Sequence, residues 1–104
     1  MSKYHAKPVV VDNIRFHSTK EARRYQELRL LEKAGEVSNL KLQPRFSLCA
    51  GDGCYEIGIY VADFSYLDVK GRSVWEDVKG FDTPLSKWKR KHVKAQYGIE
   101  VLTT

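Results

Sequence analysis

Two aspartates and a lysine, Asp63, Asp77 and Lys79, stand in stretches rich in β-branched and aromatic residues, which read as strands. If those strands are neighbours, the carboxylates face each other across about 4.5–5.5 Å and repel. A divalent cation between them reverses the sign. Mg²⁺ takes one or two protein carboxylates, keeps several waters and completes its shell with substrate phosphate. The chemistry this points to is phosphodiester hydrolysis, with Mn²⁺ as a substitute ion. Lys79 beside the ion would orient or deprotonate the attacking water and offset charge developing at phosphorus. The plainer reading is that Asp63 ends a strand at solvent and that Asp77 and Lys79 form a surface pair worth about 0–1 kcal/mol. Glu76, the rival acid, shares its face with Val74 and Val78 and is expected to pair elsewhere or lie at the sheet margin. Glu21 ends the capping-box pattern Ser18-Thr-Lys-Glu21, so it serves either as a helix cap or as a third carboxylate presented toward the two aspartates.

The elements that must position these residues follow from local pattern. Asp12-Asn13 between Val9-Val-Val and Ile14-Arg-Phe reads as a hairpin turn. Ala22, Tyr25, Leu28 and Leu31 recur every three residues in a helix running from the Ser18 cap to Ala34, with Gly35 as its stop. Val37 to Leu48 is mixed, and Pro44 limits it to an irregular or edge strand around Arg45 to Cys49. Tyr55 to Leu67 is the longest strand, with Ile57, Ile59, Val61 and Asp63 on one face directed to the core. Val69-Lys70-Gly71 is a three-residue hairpin loop, so residue 68 pairs with 72 and Asp63 lies opposite Asp77. Lys79 follows on the same face, roughly 7 Å further along. Thr83-Pro84 opens a second helix that Gly98 ends, and Ile99 to Leu102 adds a last strand. The expected fold is one α/β (α+β) domain of 104 residues.

The net charge of +5 is unevenly spread. Lys87, Lys89, Arg90, Lys91 and Lys94 lie in the second helix, which contains no acid, and the remaining chain is balanced. Lys87, Arg90, Lys91 and Lys94 share one helix face, while Leu85, Trp88, Ala95 and His92 are assigned to the core side. Such a stripe suits backbone phosphates, and Lys20, Arg23 and Arg24 would extend it. Trp75 and Trp88 are read as core or wedge residues. The apolar runs are too short to span a membrane, and the first residues lack a leader pattern, so a cytoplasmic protein with Cys49 and Cys54 as thiols is expected.

Phe16-His-Ser-Thr-Lys-Glu21-Ala-Arg-Arg-Tyr, Gln43-Pro-Arg-Phe46, Tyr60-Val-Ala-Asp63-Phe and Glu76-Asp-Val-Lys79-Gly, in that order, resemble a family of small phage and prophage endonucleases of the PD-(D/E)XK superfamily. The resemblance spans about residues 3 to 99. It implies a restriction-endonuclease-like mixed sheet flanked by two helices, and metal-dependent DNA cleavage. Asp63 matches the first strand aspartate, Asp77 the second acid, Lys79 the lysine, Glu21 the helical glutamate, and Gln43 a glutamine near such sites. The implied metal ligands are Asp63, Asp77 and Glu21. Asp77 stands where many relatives carry Glu, and its shorter side chain shifts the metal or admits a water. Related phage enzymes include Holliday-junction resolvases of DNA recombination, and the pattern at Ser18, Glu21 and Gln43 is also similar to transposon-end nucleases. Branched DNA is the expected substrate and a homodimer the expected assembly, with no membrane partner. An RNA-cleaving version of the same site, or a basic binding module without catalysis, are the alternatives.

Overall fold

The computed structural model describes residues 8–104, so the amino-terminal stretch read for a leader lies outside the described residues. Asp12 and Asn13 both adopt positive φ, 54° and 62°, which short polar side chains tolerate. They turn Val9–Val11 (β1) onto Ile14–Phe16 (β2) as the expected two-residue hairpin. Ser18 caps Thr19–Lys33 (α1), its hydroxyl accepting the Glu21 amide at 3.1 Å. Glu21 does not return a bond to the Ser18 amide, so only half of the capping box forms and the carboxylate is left for other contacts.

The remaining elements are Ser38–Leu42 (β3), Arg45–Ala50 (β4), Tyr55–Val61 (β5), Phe64–Leu67 (β6), Ser73–Asp77 (β7), Pro84–Tyr97 (α2) and Leu102–Thr103 (β8). The main sheet runs β3-β6-β7-β8; β3, β6 and β7 are antiparallel neighbours, whereas β8 lies parallel to β7. β4 and β5 pair as a separate antiparallel hairpin. The fold is α+β. The register of β6 and β7 follows the three-residue loop: Asp68 donates its amide to the Arg72 carbonyl at 2.8 Å, Gly71 takes φ 79°, and Phe64 ends the ladder opposite Glu76.

Three expectations change. The strand from Tyr55 to Leu67 is broken at Ala62-Asp63, where the chain passes from the β4–β5 hairpin into the main sheet. Its inward positions are the even ones: Tyr60 and Ala62 are buried, whereas Ile57 and Val61 are exposed. The apolar character of both faces concealed which one the core covers. The second change is in the strand inventory. Ser38–Leu42 is a strand that its mixed composition hid, and the last strand begins at Leu102 while Ile99 and Val101 pack into the core. Thirdly, Cys49 and Cys54 are joined as a disulfide rather than left as thiols. Cys54, at φ 55°, brings the two Cα atoms to 4.8 Å across the end of the β4–β5 hairpin.

The main sheet separates two cores. Phe64 and Tyr66 join Ala22, Tyr25, Leu28 and Phe16 under α1. Phe46, Leu48, Tyr60 and Ala62 enclose Val93 of α2, with Trp75 reaching this core from β7. Glu76 points into the α1 side and is fully buried at 0% exposure. Its carboxylate accepts Nε and Nη2 of Arg24 at 2.5 and 3.0 Å and the Tyr66 hydroxyl at 2.7 Å. Glu76 thus pairs elsewhere, as expected, and Arg24 is withdrawn from the expected phosphate track to neutralise it. Replacing Arg24 by Met leaves that buried charge unpaired, and a loss of about 3–5 kcal/mol in urea unfolding is expected.

Candidate active site

Residues 76 and 77 are adjacent on β7, so their side chains leave opposite faces of the sheet. Asp77, also buried, therefore points away from Arg24 and toward α2. Its Oδ2 accepts the Tyr60 hydroxyl and lies 3.0 Å from Lys79 Nζ. Lys79 in turn donates to Ser86 Oγ at 2.8 Å, in the first turn of α2. Asp63 stands at the break between β5 and β6. Its amide donates to the Glu76 carbonyl at 3.0 Å, and its Oδ2 accepts the Val78 amide at 2.7 Å.

This clamps Asp63 against the end of β7, on the side of Asp77. Burial first, then the neighbouring Asp77 carboxyl and the charge of Glu21, push the Asp63 pKa up to about 8, against the single opposing Val78 amide. Burial and the hydrogen bond to Asp77 likewise raise the Tyr60 hydroxyl, keeping it a donor. Lys79 and Asp77 are thus brought together, whereas the ladder ends at Phe64 and Glu76, so Asp63 reaches the end of β7 through the Glu76 carbonyl and the Val78 amide rather than as the cross-strand partner of Asp77. Tyr60 and Ser86 are the members that sequence reasoning missed; reading the even positions of β5 as inward would have found Tyr60.

Glu21 is raised mainly by burial, with a smaller contribution from Asp77 and an opposing one from His17. It lines, with Asp63, Gln43 and Arg15, a cavity of about 150 Å³ on the α1 side. Gln43 is held there at φ 53°, its amide donating to the Asp63 carbonyl at 2.9 Å. Asp77 and Lys79 line a separate cavity of about 310 Å³ with Ile59, Leu85, Ser86 and Lys89. Asp63 lines the first cavity and Asp77 the second. Among the described residues no three His, Cys, Asp or Glu side chains group to hold a metal ion by themselves. Glu21 shares its cavity with Asp63 and interacts with Asp77 at Coulombic range.

Lys87, Arg90, Lys91 and Lys94 share one groove, as the helical spacing required, together with Glu100 and Val101. The stripe is less bare than the helix alone suggests. Arg90 forms a two-point pair with Asp82, at 3.0 and 2.5 Å, and Lys94 meets Glu100 at 3.1 Å. Both acids lie just outside the helix. Lys89 donates to the Ile59 carbonyl. Lys87 and Lys91 remain exposed without an acidic partner among the described residues. Arg23 is exposed on α1, and Lys20 donates to the carbonyls of Lys79 and Thr104 at 2.6 and 3.1 Å.

The expected core side of α2 is corrected as well. Val93 is the buried residue, whereas Leu85, Trp88 and Ala95 are exposed and His92 is half-buried. Lys89 and Arg90 occupy the inward side with their aliphatic stems, anchored by their polar ends, and so displace the larger apolar residues. Among the described residues no helix is long and apolar enough to cross a membrane.

The family described as "Protein of unknown function (DUF1064)" matches residues 1–103, nearly the full length. No curated protein and no solved structure matches the chain.

The raised Asp63 carboxyl gives a signed pH dependence. The folded state binds its proton up to about pH 8, whereas an unfolded Asp releases it at about pH 4, so this group stabilises the fold below that lower value. Its contribution falls progressively as pH rises toward 8. In EDTA, Asp63→Asn is expected to raise the melting temperature above that of the parent at about pH 8 to 9, with the gap narrowing toward about pH 4. A variant melting no higher than the parent at alkaline pH would contradict the assignment.

Proposed function

We propose that this chain, which belongs to the DUF1064 family, is a metal-dependent nuclease that hydrolyses phosphodiester bonds in DNA, with branched or otherwise structured DNA as substrate. The observation that carries this reading is that Lys79 and Asp77 lie 3.0 Å apart at one end of the main sheet, with Asp63 fastened to the same end of β7 through the Val78 amide.

The donor set fits the ion. Mg²⁺ takes one or two carboxylates from protein, here Asp77 at the end of β7 and Asp63 at the break between β5 and β6, and the burial that raises Asp63 marks a place short of positive charge. Bound there, the ion would polarise the phosphate and make a metal-bound water more acidic. Tyr60 donates to Asp77 Oδ2 and the Lys79 ammonium lies 3.0 Å from it, and together they hold that carboxylate in orientation. Ser86 steadies Lys79, whose charge then sits where negative charge develops on the phosphate and where it can orient the attacking water. Glu21, beside Asp63 in the small cavity, is suited to hold a proton drawn from the site. Lys87 and Lys91, the cations of that groove without an acidic partner among the described residues, grip phosphates flanking the scissile one. Cutting both strands of a junction requires two such sites, which a pair of chains would supply.

Labelled four-way junction, duplex, single strand and RNA, each incubated with Mg²⁺, Mn²⁺ or EDTA, test the reading. Metal-dependent product from DNA is expected, the junction being cut fastest. Preferential cutting of RNA would transfer the same site to the other sugar, and salt-sensitive binding without product would leave a binding module. Asp77→Asn is expected to lower cleavage by about 100-fold or more with little change in affinity. Replacing Lys87 and Lys91 together by Ala is expected to weaken DNA binding irrespective of sequence. The slope of log affinity against log salt should then shrink by about 2.

A further inference from the structure

α2 carries three faces. One packs on the β4–β5 hairpin through Val93, and one carries the exposed lysines. The third is apolar and uncovered: Leu85 is 61% exposed and Trp88, one turn on, 50%. Trp88 meets the His92 ring, a further turn along, at 5.4 Å between centroids. Just before the helix, Phe81 is 81% exposed.

This shelf is continuous with the candidate site. Leu85 is part of the wall of the 310 Å³ cavity that Asp77 and Lys79 line, so a group lying on Trp88 is one helical turn from the chemistry. Its occupant is narrowed by charge. Lys87 and Lys91 border Trp88 on the same helix, and α2 contains no Asp or Glu. An aromatic plane bordered by uncompensated cations suits a base joined to a phosphate backbone, because every base offers a π-face and its phosphates answer the lysines.

We propose that Trp88, supported by His92 and Leu85, is a stacking platform for an unpaired base of the DNA next to the scissile phosphate. The platform selects substrates with a splayed or single-stranded nucleotide over uninterrupted duplex. It rests on the nuclease reading and adds to it the structural class of the substrate. A base paired within duplex keeps its faces covered by its neighbours, so the shelf discriminates without reading sequence.

Binding of the full chain in EDTA, where cleavage is off, to a duplex and to the same duplex bearing a short unpaired flap tests this. Trp88→Ala is expected to weaken flap binding about tenfold while changing duplex binding by less than about twofold. Trp88→Phe should restore most of the loss, and flap addition should quench tryptophan fluorescence in the parent but not in Trp88→Phe. Equal loss on both DNAs, or no loss, overturns the platform. So does conversion of a dimer to a monomer by Trp88→Ala in sedimentation, which would assign the shelf to a second copy of the chain. If the parent binds both DNAs and Trp88→Ala is indistinguishable from it, only the platform falls. If the parent binds neither DNA, the nuclease reading falls with it.

Discussion

Two carboxyl groups held together where water is scarce are the constraint on which the candidate site depends. Asp63 and Asp77 do not approach because they attract each other; they approach because the backbone leaves them no alternative. The three-residue loop sets the register of β6 and β7, and the Val78 amide and the Glu76 carbonyl then fasten Asp63 to the end of β7. The electrostatic cost is carried as a proton retained far above the ordinary carboxylate range. Carboxyl groups perturbed in this way concentrate at functional sites.

The neighbouring acids of β7 show how strand alternation divides labour. Glu76 faces α1 and is neutralised within the protein by Arg24 and Tyr66, which makes it a structural charge. Asp77 faces α2 and shares Lys79 with Ser86, which leaves the ammonium at the edge of an open cavity. One residue of offset therefore separates the charge that holds the sheet to its helix from the charge that faces an open cavity. α2 divides its surface similarly. Lys89 and Arg90 direct their cationic ends to the Ile59 carbonyl and to Asp82, which leaves Lys87 and Lys91 facing outward.

Features contained within a few residues were legible without the fold. The caps at Ser18 and Thr83, the turns at Asp12-Asn13 and Gly71, the stop at Gly98 and the β6–β7 register all depend on local backbone preference, and all appear where the pattern put them. The placement of Asp63 at the end of β7 followed from that register, although the ladder itself stops at Phe64 and Glu76. So did the shared groove of the four basic residues on α2, which needs only the helical repeat.

Partner choice between distant segments was not legible. Arg24 joins Glu76 across 52 positions, Tyr60 reaches Asp77 across 17, and Asp82 claims Arg90 from outside the helix. The inward side of β5 is hidden in the sequence because both of its faces carry apolar residues, and only the break at Ala62-Asp63 decides which one is covered. Trp88 belongs inside by size alone, but the anchored stems of Lys89 and Arg90 take that side of α2. Local geometry is determined by neighbouring dihedrals and is written in neighbouring residues. Burial and ion pairing are competitions among groups far apart in the chain, and only the folded molecule decides them.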